Sequence, residues 1–381
     1  MDIKDFKSGI FRQQYEYKSF LPNSIHREWV VSDARLNNLL SEANLTLGRL
    51  DAFSRLIPDV DFFIRMHIVK EATQSSRIEG TQTTMEEAFL KEADVNPEKK
   101  NDWAEVNNYI FALKYAIGEL KKLPLSTRLL RQTHEVLMQG VRGRHKMPGE
   151  FRSSQNWIGG TSLKDAIFIP PIHTEVPELM SDLEKFLNET RLQVPHLIKI
   201  GLAHYQFETI HPFLDGNGRL GRLLITLYLV RFGILNGPTL YLSDFFERNR
   251  SLYYDNLMQT RLQHNLPHWL TFFLTGVLQT ATNSIETFEK ILKLQEDIEG
   301  KRILKLGKKS EAAKTLVKHL YKNPLVTASD VEKILHVNIS TANRMIDDFV
   351  KLKILKERTG FKRNRIFSFH EYLGLFYNPR K

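Results

Sequence analysis

The chain has 381 residues, enough for two or three domains and at least one substantial core. The longest apolar stretch near its centre, Leu223–Val230, is far shorter than the roughly 20 residues of a spanning helix, so a helical membrane protein is excluded. It has no cysteine, which excludes disulfides, thiolate metal sites and a cysteine nucleophile together. The N-terminus, MDIKDFKSGIFRQQ, lacks an apolar signal core, so a cytoplasmic location is the default expectation. The net charge of +10 is unevenly spread: residues 301–381 hold 19 Lys+Arg against 7 Asp+Glu, or +12, which leaves 35 against 37, or −2, for residues 1–300. This asymmetry predicts a C-terminal module that meets an anion, nucleic acid first, with a lysine-rich solvated surface as the bland alternative.

Taken in chain order, the elements are mostly helices. Leucines at 36, 39, 40, 47 and 50 recur at helical spacing within 31–53, and a second apolar-periodic run opens at Pro58 and stops at Gly80. Thr84-Met85-Glu86-Glu87 reads as a capping box for a following helix, and a further helical run covers 100–121. Ser126 and Gly140 mark the start and stop of the next one. Between Gly140 and His173 glycines, prolines, aromatic and β-branched residues predict a β-hairpin over about 158–170, with its turn near Ser162–Asp165. Helices are then expected at 176–189, 195–210, 219–232, 244–262 and 267–299.

Beyond a basic linker after Gly300, helices at 310–322, 328–336 and 339–353 and a basic hairpin over 355–369, turning at Thr359-Gly360, form a winged-helix outline. It would present Arg344, Lys351, Lys362, Arg363 and Arg365. Such modules also bind proteins, so residues 305–381 are expected to contact either DNA or protein. The fold class is mainly α, a helical core with a β-hairpin flap plus a small C-terminal α+β domain. The expected divisions are 1–100, 101–300 and 301–381.

Chemistry concentrates in His211-Pro212-Phe213-Leu214-Asp215-Gly216-Asn217-Gly218-Arg219-Leu220-Gly221-Arg222. Glycines on both sides of Asn217 let the backbone turn sharply and aim successive amides at one point, an anion nest. The helix that begins there directs its positive end at the same point. Arg219 and Arg222, three apart, can grip neighbouring phosphates. Asp215 supplies one hard oxygen ligand, as Mg²⁺ held mainly by phosphates needs. His211 supplies a general base for a hydroxyl nucleophile. No Walker A sequence is present. A metal-hydrolase reading of His204, Glu208, His211 and Asp215 lacks an HExxH arrangement and leaves the glycines and arginines without a task, so packing is the simpler account of His204 and Glu208.

The segment resembles the HPFx[D/E]GNGRxxR signature of Fic-domain proteins at every fixed position, over a region of about 20–290. The resemblance implies transfer of AMP from ATP to a Ser, Thr or Tyr hydroxyl of a target protein, with self-modification included. His211 would be the base, Asp215 would hold Mg²⁺, Gly216, Asn217, Gly218 and Arg219 would hold the α- and β-phosphates, and Arg222 the γ-phosphate. The hairpin around 158–170 would be a flap aligning the target's main chain, and Tyr254 would border the adenine pocket. Ser75-Ser76-Arg77-Ile78-Glu79-Gly80 fits the family's [S/T]xxxE[G/N] inhibitory pattern, with the helix at about 59–80. Ser75 and Glu79 lie one turn apart at a helix end, where a carboxylate opposes the dipole and needs a cation, and Arg222 is the candidate. The alternatives are AMP removal, another nucleotide donor, and a DNA-binding regulator with a nucleotide-sensing core. The target and the oligomeric state are not legible in the sequence.

Overall fold

The computed structural model is mainly helical and describes residues 1–56, 60–140, 143, 145–360 and 364–377. A hairpin of β1 (Gly9–Gln13) and β2 (Lys18–Pro22) comes first. The sequence did not announce it, because β1 is almost wholly exposed and has no alternating burial for a period of two to reveal. Helix α1 (Ala34–Leu56) comes next, then α2 (Val60–Ile78), α3 (Lys100–Glu119), α4 (Thr127–Leu137), α5 (Val176–Asn188), α6 (His196–Ile210) and α7 (Asn217–Arg231). After these are α8 (Ser243–Arg248), α9 (Arg250–Gln263) and the long α10 (Leu266–Asp297), against which α1 packs. Helices α6 and α7 pack on each other at the centre and are buried almost all round, as helices without a polar face must be.

Pro58, the expected start of α2, lies outside the described residues. Thr84 and Glu87 make the expected reciprocal bonds, with Thr84 N donating to Glu87 Oε2 at 2.8 Å and Glu87 N to Thr84 Oγ1 at 3.2 Å. The chain then enters no α-helix but three 3₁₀ turns, Glu87–Phe89, Glu92–Asp94 and Pro97–Lys99. Pro97 contributes no amide hydrogen and keeps Asn96 out of the helical region, so no α-helix continues until Lys100. The run expected over 244–262 is broken at Asn249, whose side chain donates to the Phe245 carbonyl at 2.9 Å. The expected flap narrows to one antiparallel bridge between Ile158 and Phe168. Its turn is closed by Asp165, which accepts bonds from the amides and hydroxyls of Thr161 and Ser162. Strand β2 borders it, with Phe20 N donating to Ile169 O at 2.9 Å.

The C-terminal region contains α11 (Ser310–Lys322), β3 (Leu325–Val326), α12 (Ala328–Leu335), α13 (Ile339–Lys351), β4 (Lys356–Glu357), β5 (Phe367–Ser368) and α14 (His370–Gly374). Its strands form an antiparallel sheet in the order β3-β5-β4. Arg344 and Lys351 on α13 are exposed, while Lys362 and Arg363 lie outside the described residues. Arg365 is drawn to Glu357 at 3.6 Å. This region leans on α2 and the 3₁₀ segment through Lys91–Asp330 at 2.8 Å, Arg358–Glu86 at 2.6 Å and the Phe376 ring against His67. Among the described residues no helix is long and apolar enough to cross a membrane.

Candidate active site

Helix α6 ends at His211, which adopts a left-handed backbone (φ 50°, ψ 61°). For a non-glycine residue this costs on the order of 1–3 kcal/mol, so its surroundings must impose it. They do so with buried hydrogen bonds. Arg152 Nε donates to His211 O at 3.0 Å, and Asn156 Nδ2 donates to the same oxygen at 3.2 Å and to Phe213 O at 2.9 Å. The Asn217 side chain grips the Phe213 backbone from both sides, accepting from its N and donating to its O, each at 2.8 Å. His134 stacks on Phe213 with centroids 3.8 Å apart. Its Nδ1 accepts from Gly149 N, which leaves Nε2 to donate to Asp215 O at 2.9 Å. Gly216 (φ 75°) turns the chain into α7, whose first-turn amides have no partner within the helix.

One cleft of about 290 Å³ collects the expected groups: His211, Asp215, Gly216, Asn217, Gly218 and Arg222, with Glu79 at the end of α2 and Tyr254 from α9. Arg222 Nη2 bonds Glu79 Oε1 at 2.6 Å and Ser75 O at 2.9 Å, while its Nε donates to Ser75 Oγ at 2.9 Å. The Glu79 carboxylate sits directly over Gly218, where a Cβ would collide with Glu79 Oε1 and lie 3.0 Å from Arg222 Nη1. Gly80 adopts a positive-φ conformation (104°) that ends the helix. Arg219 departs from the expected pairing with Arg222. Its guanidinium turns to Glu105 of α3 at 3.3 Å and is 3.8 Å from Asp215, away from the cleft wall. Asp215 Oδ1 accepts from Gly216 N at 2.6 Å, and its side chain stays 47 % exposed at the cleft edge.

Electrostatics separate the groups. Burial first, then the charges of Arg261 and Arg152, push His211 down to about 3, so its imidazole is neutral across the physiological range. For Glu79 burial acts upward, but the charge and hydrogen bond of Arg222 outweigh it, and the carboxyl lies below its ordinary value. The Glu79 side chain is still 35 % exposed, whereas that of Arg222 is 1 % exposed. Burial opposes the charge of Arg222, and Glu79 more than offsets this. Burial raises Glu208 to about 7. His204 is structural: Nδ1 meets Gly221 O and Nε2 meets Tyr253 OH, both at 2.9 Å, and no metal-binding cluster exists among the described residues.

Two arginines beside His211 were not visible in the sequence. Arg152 bonds the carbonyls of His211 and Pro171, tying the loop to the base of the flap. Arg261 lies over the Phe168 ring at 4.0 Å and donates to Glu208 O at 3.0 Å. They come from distant parts of the chain, 59 and 50 residues from His211, and no local pattern marks a buried arginine.

Two family models match, "Fic/DOC family N-terminal" over residues 37–118 and "Fic/DOC family" over residues 124–229. Residues 37–118 and 124–229 are therefore similar to the N-terminal and core domains of the Fic/DOC family. The chain is 34 % identical over 134 residues to the protein adenylyltransferase Fic of Drosophila erecta, covering 34 % of this chain and 25 % of that protein. It is 37 % identical over 110 residues to that of Aedes aegypti, covering 29 % and 19 %. The chain thus spans a quarter or less of these relatives. A Fic family protein from Desulfovibrio desulfuricans has the same fold over 88 % of this chain and 96 % of its own, with a TM-score of 0.55 at 20 % identity. A Fic domain containing signalling protein from Bacteroides thetaiotaomicron covers 68 % and 97 %, with a TM-score of 0.52 at 19 % identity.

Proposed function

We propose that the protein is an autoinhibited protein adenylyltransferase, which moves AMP from ATP to a Ser, Thr or Tyr hydroxyl of a target protein. The observation that carries this reading is the convergence, in one cleft, of a neutral histidine, the open amide end of α7 and Arg222, with a carboxylate from another helix seated on that arginine. His211 takes the proton of the target hydroxyl as its oxygen attacks the α-phosphorus, and the bond to pyrophosphate breaks. The amides of 217–219, at the open end of α7, receive the charge that develops on the phosphate oxygens, in an orientation fixed before the reaction begins. The donor set at the cleft edge is a single exposed carboxylate, Asp215, which suits Mg²⁺ whose remaining ligands are phosphates and water. When bound, the ion would neutralise phosphate charge.

Glu79 occupies Arg222 and the space above Gly218, both of which a γ-phosphate needs. ATP then settles with its α-phosphate misaligned, and an error of about 1 Å is worth on the order of 10²-fold in rate. The flap residues Ile158 and Phe168 give the target an edge for strand addition, and Tyr254 borders the base. Mass spectrometry of Glu79→Gly protein incubated with ATP, Mg²⁺ and a cell lysate is expected to find added AMP on a hydroxyl residue. A folded, ATP-binding variant that adds nothing would overturn the reading, and an adduct only with another nucleotide would correct the donor.

A second reading concerns residues 305–381. The exposed Arg344 and Lys351 on α13, beside the basic excess, favour contact with DNA. Salt-dependent retention of a DNA fragment, weakened by Arg344→Glu, supports it, and retention unchanged by that variant contradicts it.

A further inference from the structure

Behind the proposed inhibitory helix lies a second cavity, which shares no lining residue with the cleft. It has a volume of about 70 Å³ and is bounded by α2, α8 and α10, with Phe376 from the C-terminal region covering one side. A water's share of liquid volume is about 30 Å³, so the space exceeds one water and is far too small for a nucleotide.

Its chemistry is unusual for an interior. His67 and Tyr241 both line it and are 6 % and 5 % exposed, yet His67 Nε2 and the Tyr241 hydroxyl have no hydrogen-bond partner among the described residues. A buried polar atom left in this state costs about 1–3 kcal/mol, so something is expected to satisfy it. Two cations stand on the same wall. Lys70 Nζ is 3.3 Å and Arg248 Nη2 3.0 Å from Asp244 Oδ2, so two positive charges share one carboxylate. The other acid on the wall, Glu71, is already committed to the Ser243 amide and hydroxyl and to the Tyr109 hydroxyl. The unpartnered His67 Nε2 and Tyr241 hydroxyl can each donate a hydrogen bond, and the ammonium of Lys70 and the guanidinium of Arg248 stand on the same wall as further donors.

We infer that this cavity is a binding site for one small oxyanion, which accepts from His67, Tyr241, Lys70 and Arg248 and thereby ties α2 to α8. Phosphate and a short carboxylate share this chemistry. Lys70 and Asp244 have side chains only 19 % and 20 % exposed, while Arg248 is 45 % exposed, so Arg248 marks the mouth. The consequence for regulation rests on the proposed inhibitory role of α2. Lys70 and His67 lie about two and a half and a little over three turns before Glu79, which directly follows the same helix, so an anion that fixes them also favours the docked position in which Glu79 holds Arg222.

The test is isothermal titration of the full chain with inorganic phosphate, and separately with malonate, in chloride buffer. Saturable 1:1 binding is expected, weakened at least tenfold by Tyr241→Phe and by Arg248→Gln and not displaced by excess ATP. Arg248→Gln alters an exposed side chain and keeps the test valid should Tyr241→Phe misfold. Binding of phosphate alone or of malonate alone identifies the source of the anion. No saturable heat, as from a cavity that holds only water, overturns the site, as does binding that survives both substitutions or yields to ATP. Hydrogen exchange across residues 66–78 reads the regulatory part: slower exchange with the anion supports it, and unchanged exchange alongside confirmed binding removes the regulation and leaves the site. None of these readouts depends on AMP transfer, so failure of the enzymatic reading would be seen separately.

Discussion

The loop 211–218 and the end of α2 at 75–80 supply the same cleft, but they are held there in different ways. The loop is over-determined: the Asn217 side chain, Asn156, Arg152 and His134 all bind its backbone from buried positions. The end of α2 is held by the burial of Ser75, Ser76 and Ile78 and by the bonds of Arg222 to Glu79 and Ser75. Around it the buried hydroxyls of Ser76, Thr81 and Thr83 lack partners among the described residues, and a cavity lies behind the helix. A rigid loop suits chemistry that tolerates little displacement, and on the proposed reading the end of α2 is the part that must leave. Inhibition by Glu79 would, on that reading, be removable without disturbing the loop that carries His211.

Substitutions can break this comparison, beginning with the largest effect. In a Glu79→Gly background, His211→Ala is expected to lower AMP transfer by about 10²–10⁴-fold with ATP binding retained, because only the proton acceptor is lost. Retained transfer would remove His211 from its role. Asn217→Ala unties the loop and leaves the Phe213 amide unpaired, with an expected stability loss of about 1–3 kcal/mol in denaturant titration. Unchanged stability would mean the loop is not held as described.

The third expectation concerns pH. The folded-state value of His211 lies below its ordinary value, so the imidazole stays neutral as pH falls and protonates only on further acidification. The kcat/KM profile of the Glu79→Gly protein should therefore show no acid limb near the ordinary histidine value of about 6.5. Arg261→Gln removes a positive charge and should move that limb upward, whereas a purely structural role would lower kcat and leave the limb in place. The smallest effect is expected for Ser75→Ala. Arg222 Nε loses the hydroxyl, but the Ser75 carbonyl and Glu79 remain, so activity should rise only about fivefold, equivalent to ~1 kcal/mol.

The sequence made the loop legible because its requirements are local. Glycines at 216 and 218, Asn217 between them and a histidine at a helix end specify the turn within a few residues, and the α2 motif is equally compact. The helices were legible from their period, except where local chemistry overrode it, at Asn96-Pro97 and at Asn249. Arg152, Arg261 and His134 were not legible, since each acts through bonds that close only when distant segments meet. Arg219 shows the same limit from the other side. Helical spacing put it beside Arg222, but Glu105 on α3 draws it away. The β1–β2 hairpin was missed because its exposed strand buries nothing in a regular pattern.

The most direct test of a detachable lock on a fixed catalytic loop is the rate of AMP transfer from ATP by the native chain and by Glu79→Gly, at saturating ATP and equal fraction folded. A rise on the order of 10²-fold is expected, together with a loss of thermal stability because buried Arg222 is left without its carboxylate. Equal rates in the two proteins, or a rise that survives His211→Ala, would contradict it.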